Sequence, residues 1–117
     1  MSRLPAGLAA LAVLATATGA AAHARLIHSD PKAGAVVAAP AVLTLNFSEG
    51  IVAAKSSVQV LAGAAPVAVG KLAVDPKTPR TVTVPLPKLA PGAYKVHWSM
   101  TTEDTHVMQG DFGFKVK

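Results

Sequence analysis

Apolar and polar residues alternate in short runs along most of the chain. Leu43, Leu45 and Phe47 are separated by Thr44 and Asn46, and Val58 and Val60 alternate with Ser57 and Gln59. Val82 and Val84 alternate with Thr81 and Thr83, and Phe112, Phe114 and Val116 with Asp111, Gly113 and Lys115. The longest run sets Tyr94, Val96, Trp98 and Met100 against Lys95, His97 and Ser99. A side-chain period of two puts one set on a buried face and the other in water, so each run predicts a half-buried β-strand. Residues 25–28 predict a short first strand, and Val67 to Val74 another, weakened by Gly70. The runs are punctuated by turn chemistry: Asp30-Pro31 through Gly34, Asp75-Pro76 through Pro79, and Pro91-Gly92. About seven strands spaced in this way predict an all-β fold, an antiparallel Greek-key sandwich of immunoglobulin-like shape. Phe47, Tyr94, Trp98, Phe112 and Phe114 are its expected core.

The first residues follow a different pattern. No Asp, Glu, Lys or Arg stands between Arg3 and Arg25; an apolar stretch from Leu8 to Ala15 is followed by the small residues Thr18 to Ala22. A positive start, a short apolar core and a small-residue end are the marks of a secretory signal peptide. A membrane span needs about 20 strongly apolar residues, whereas the Leu and Val density here fades after Leu14. The chain is therefore expected to be exported, with no membrane span in its mature part. Small-x-small rules allow cleavage after Ala20, Ala22 or Ala24, and only the second makes His23 the first mature residue.

A length of 117 residues bounds the remainder to one domain. The absence of Cys removes disulfides, thiolate metal sites and cysteine nucleophiles. Loss of Arg3 with the leader still leaves a basic excess, but the lysines stand singly and aromatics make up only 4% of residues, which argues against nucleic-acid binding. No Ser-His-Asp order, paired-carboxylate spacing or phosphate-cradling glycine loop is present.

The informative residues are the four histidines, His23, His28, His97 and His106. A histidine at position one offers its free amine and its ring Nδ1 to a single ion. Both are borderline nitrogen donors, which suit copper(II), the divalent ion at the top of the affinity series with a preference for square, nitrogen-rich geometry. Asp104-Thr105-His106 can supply the other two positions: residues two apart in an extended segment face the same side. Glu103 is the competing carboxylate, but in an extended run it faces away from His106.

Several segments in order carry a closer resemblance. They are His23-Ala24-Arg25-Leu26, Asp30-Pro31 through Gly34, Leu45-Asn46-Phe47-Ser48-Glu49-Gly50, Pro91 through Trp98, Asp104-Thr105-His106 and Phe114-Lys115-Val116. Through these the chain resembles the CopC family of periplasmic copper-binding proteins along nearly its whole length after the leader. The resemblance implies a cupredoxin-like, seven-stranded β-sandwich and a mature chain starting at His23, dividing the sequence into a leader, 1–22, and a copper-binding domain, 23–117. It implies copper(II) ligation by the His23 amine and ring with Asp104 and His106, and exchange of copper with an inner-membrane transport protein. Two departures matter. Some members carry a further histidine where this chain has Arg25, which has no lone pair to offer a metal. Others carry a methionine-rich loop that takes copper(I), whereas residues 53–69 here hold no Met. A copper(II) site without a dedicated copper(I) site is the expectation.

His28 is a candidate fourth ligand or a hydrogen-bond donor behind the ligands. His97 should face solvent without a role, Met100 and Trp98 should fill the core, and Glu49 should hydrogen-bond to a turn. Asn46-Phe47-Ser48 matches a glycosylation sequon, accidental on a strand. A periplasmic copper(II) carrier or buffer without turnover is the leading reading. A small copper oxidase or monooxygenase using the same N-terminal chelate, and a metal-free scaffold, are its competitors; Arg25 and the shortage of aromatics count against the enzyme.

Overall fold

The computed structural model describes residues 25–117; the expected leader and His23 lie outside the described residues. The strands are β1 (Leu26–Asp30), β2 (Val36–Val37), β3 (Val42–Phe47), β4 (Ser57–Ala62), β5 (Ala65–Pro66), β6 (Ala73–Val74), β7 (Thr81–Pro85), β8 (Gly92–Thr101) and β9 (Val107–Val116), with one 3-10 turn at Ala53–Lys55. They form two sheets, β1-β3-β7-β6 and β2-β9-β8-β4-β5. Every pairing is antiparallel except that of β2 with β9. Without β2 and β5 the order is that of the constant-type immunoglobulin sandwich, four strands against three. The two extra strands are two-residue additions at the margins of the second sheet. The run from Val67 to Val74, expected as a strand, pairs only at Ala73–Val74. Before that, the Gly70 N–H is already committed to the Pro85 carbonyl.

The alternating runs become the inner faces of the sheets. Leu43, Leu45, Val60, Val82, Val96 and Met100 are fully buried. Burying such a side chain contributes about 1.5–3 kcal/mol, which is what holds the sheets face to face without a disulfide. Phe47 of β3 meets Trp98 of β8 edge-on at 5.1 Å between ring centres, bridging the sheets, and Tyr94 stacks on Phe114 at 5.6 Å. Phe112 departs from expectation: it is only partly buried against the core. The reason is that β2 covers β9 only at Lys115 and Val116, leaving the middle of β9 as an open edge.

Two local devices fix β8. The Tyr94 hydroxyl donates to the Ala90 carbonyl at 2.6 Å, folding the Pro91-Gly92 corner back onto the strand, the arrangement known in such sandwiches as a tyrosine corner. Trp98 lies across Gly110, its register partner on β9, so a Cβ there would sit 2.7 Å from ring atom Cε2. Gly110→Ala should lower stability by about 1–3 kcal/mol through overpacking against a rigid indole. Thermal unfolding with tryptophan fluorescence checks this, the expected result being a lower midpoint and a shifted emission. Asn46 is also engaged, its side-chain amide donating to Thr81 Oγ1 at 2.8 Å between β3 and β7.

Candidate metal centre

Asp104 and His106 lie in the connection between β8 and β9, at one end of the sandwich. The connection is a closed turn rather than the extended segment expected from sequence. The Thr102 N–H donates to the His106 carbonyl at 2.8 Å, and the Thr105 N–H to the Thr102 carbonyl at 2.9 Å. Thr105 reverses the chain with φ of 71°, a conformation rarely taken by a β-branched residue. The reversal brings Asp104 Oδ2 to 3.5 Å from His106 Nδ1. Both side chains are more than half exposed, so the pair opens to solvent and to an arriving ion. Positive-φ strain costs of the order of 1–3 kcal/mol, and glycine would remove it while adding about 0.4–1 kcal/mol of unfolded-state entropy. Thr105→Gly should therefore raise the thermal midpoint modestly, whereas an unchanged or lower midpoint would show the turn to be unstrained.

Thr102 is the hub of the turn. It is 1% exposed; its hydroxyl donates to Asp104 Oδ1 and accepts the His106 N–H at 3.1 Å. The Asp104 carboxyl is held below the ordinary carboxylate range, chiefly by the Thr102 hydroxyl. Loss of water contact works the other way, while the His106 imidazole and the Glu49 side chain add to the lowering. Asp104 is therefore an ionised donor well into the acid range. Its contribution to folding is present above its ordinary value of 3.8 and is lost as pH falls through the lowered one.

The neighbouring residues have other positions. The Glu103 N–H donates to the Gly50 carbonyl at 3.0 Å, and its carboxylate lies where a Cβ of residue 50 would stand. Glu49, expected to bond to a turn, lies beside Asp104. His28 is on β1, opposite Asn46, with an exposed side chain; Ser29 next to it points inward. Among the described residues, no third His, Asp or Glu completes a metal-sized group with Asp104 and His106. His97 is half-exposed on β8, its Nδ1 2.5 Å from Oδ1 of Asp111, its cross-strand partner on β9. That contact, foremost among several causes, lowers the Asp111 carboxyl. Met100 is fully buried and Trp98 nearly so, both in the core.

The described chain begins close to this end. The Arg25 N–H donates to Ser48 Oγ at 2.9 Å and its carbonyl accepts the Ser48 N–H at 3.0 Å. Ser48 leads within two residues to Gly50, the partner of Glu103. Thr102 carries no metal-binding group, and nothing in residue type or spacing marks it in the sequence.

This sandwich with an Asp-His turn has well-defined relatives. The CopC domain model matches residues 26–117, and the chain belongs to the CopC family. It is 41% identical to copper resistance protein C of Pseudomonas syringae pv. tomato over 108 residues, 84% of this chain and 83% of the relative. To copper resistance protein C of Escherichia coli it is 36% identical over 118 residues, 90% of each chain. Among solved structures, CopC from Methylosinus trichosporium OB3b superposes with a TM-score of 0.76 at 31% identity, covering 81% of this chain and 94% of that one. PcoC, a methionine-rich copper resistance protein from Escherichia coli, gives 0.71 at 34% identity, covering 82% and 100%. These relatives are named for copper resistance and not for a catalysed reaction. Among the described residues no helix is long and apolar enough to cross a membrane.

Proposed function

We propose that this chain is a periplasmic copper(II) carrier or buffer in copper resistance, without turnover. It is cut after Ala22, and the His23 amine and ring then bind copper(II) together with Asp104 and His106. The observation that carries this reading is the convergence of Asp104 and His106 at the end of the sandwich where Arg25 is tied to Ser48. An extended residue spans about 3.3–3.6 Å, so two residues upstream of Arg25 give His23 a reach of roughly 7 Å from that anchor. Amine, imidazole and carboxylate donors favour copper(II) over copper(I), which prefers thioether and thiolate. The only Met residues after the leader are Met100, buried in the core, and Met108, so copper(I) has no dedicated site. The ion is cargo, and an inner-membrane copper transport protein is the proposed exchange partner.

Titration of the processed chain with copper(II) against a competing chelator tests the reading. One ion per chain is expected, with His97→Ala binding like the wild type because its ring is held by Asp111. Absence of stoichiometric binding would leave the scaffold reading, and equal loss in His97→Ala would mean that the site is misplaced.

A further inference from the structure

Thr102 does two things at once that neither ligand does for itself. Its hydroxyl donates to Asp104 Oδ1, with the His106 carbonyl a longer second acceptor at 3.3 Å, and it receives the His106 backbone N–H at 3.1 Å. Its own backbone is fixed on both sides: the N–H donates to the His106 carbonyl, and the carbonyl accepts from Thr105. It also bridges Ile51, a core residue, so the hydroxyl is anchored to the packed interior and not to the exposed turn. The two ligands themselves are more than half exposed, and nothing in their own burial would keep them in one orientation.

We infer that Thr102 is the positioning residue of the copper site, its buried hydroxyl holding the Asp104 carboxylate and the His106 backbone in one arrangement before the ion arrives. The inference rests on the proposed copper site and deepens it. With Oδ1 taken by the hydroxyl, Asp104 turns Oδ2 toward His106 Nδ1, so the carboxylate is set up to bind an ion through that one oxygen. Removing a hydrogen bond that orients a ligand typically costs 10- to 100-fold in metal affinity.

The test compares Thr102→Val, which keeps the shape and loses the hydroxyl, with Thr102→Ser, which keeps the hydroxyl. Asp104→Ala and His106→Ala serve as reference variants. Copper(II) affinity is measured by chelator competition, and the copper environment by electron paramagnetic resonance at one equivalent. Thr102→Val should bind roughly 10- to 100-fold more weakly, with altered copper hyperfine values, and Thr102→Ser should restore both. Backbone amide NMR of the metal-free proteins separates a local change from unfolding, the expected differences being confined to the 102–106 turn. If Thr102→Val binds with wild-type affinity and an unchanged spectrum while the reference variants fail, the positioning role is wrong and the site stands. If the reference variants bind as well as the wild type, the site itself is wrong.

Discussion

A chain that begins at Arg25, or one whose His23 amine is acetylated, is expected to lose its high-affinity copper(II) site. Removal of His23 takes away two donors at once, the amine and the ring nitrogen that closes a chelate with it. The described residues offer only Asp104 and His106 in their place. Two unlinked donors hold copper(II) weakly. A loss on the order of a thousandfold or more is expected, equivalent to about 4 kcal/mol. Acetylation is the sharper variant because it removes the amine while leaving imidazole, fold and charge on the sandwich almost unchanged. Both are read by chelator competition. The same chemistry sets the pH dependence. The amine must shed a proton to bind, and its ordinary value is near 7.7–8.0, so affinity falls as pH falls below that range. Asp104, held ionised by Thr102, does not limit binding there. A pH-independent affinity between about 6 and 8 would contradict an amine ligand.

His106→Ala and Asp104→Ala are expected to weaken copper(II) binding by roughly a hundredfold or more each, for different reasons. His106→Ala removes a nitrogen donor from the copper plane, so the nitrogen coupling in the spectrum should drop. Asp104→Ala removes the negative charge that offsets the ion and takes away the Thr102 hydroxyl's closer acceptor, leaving the His106 carbonyl at 3.3 Å. Asp104→Asn, which keeps the shape, should recover little. Because both side chains are exposed and outside the core, both variants should fold; metal-free His106→Ala should unfold near the wild type, and Asp104→Ala somewhat below it because the bond from the buried Thr102 hydroxyl is lost. Equal copper affinity in either variant would remove the residue from the site.

The core was legible because period-two alternation maps directly onto a sandwich: Leu43 and Leu45, Val82 and Val84, and Tyr94, Val96, Trp98 and Met100 all face inward as the pattern says. The short strands were not legible, since two residues such as Val36–Val37 or Ala65–Pro66 carry no period and exist only through their partners. Phe112 obeys the alternation yet stays partly exposed, because coverage depends on how far β2 extends along β9. The pairing of His97 with Asp111 depends on strand register, which fourteen residues of sequence separation conceal. At the candidate site, residue types and spacing pointed to Asp104 and His106. Their approach, however, comes from a reversal at Thr105 that a β-branched residue does not advertise. Thr102, with no metal-binding group of its own, carries no sequence signal beyond its position.

At the proposed site a processed N-terminus joins the Asp-His turn around one cupric ion. Electron paramagnetic resonance of the exported, processed protein at one equivalent of copper(II) tests this most directly. The predicted result is a single axial species with hyperfine coupling to the amine and two imidazole nitrogens. A spectrum of oxygen-coordinated copper, or several species with no saturation at one ion per chain, would contradict it.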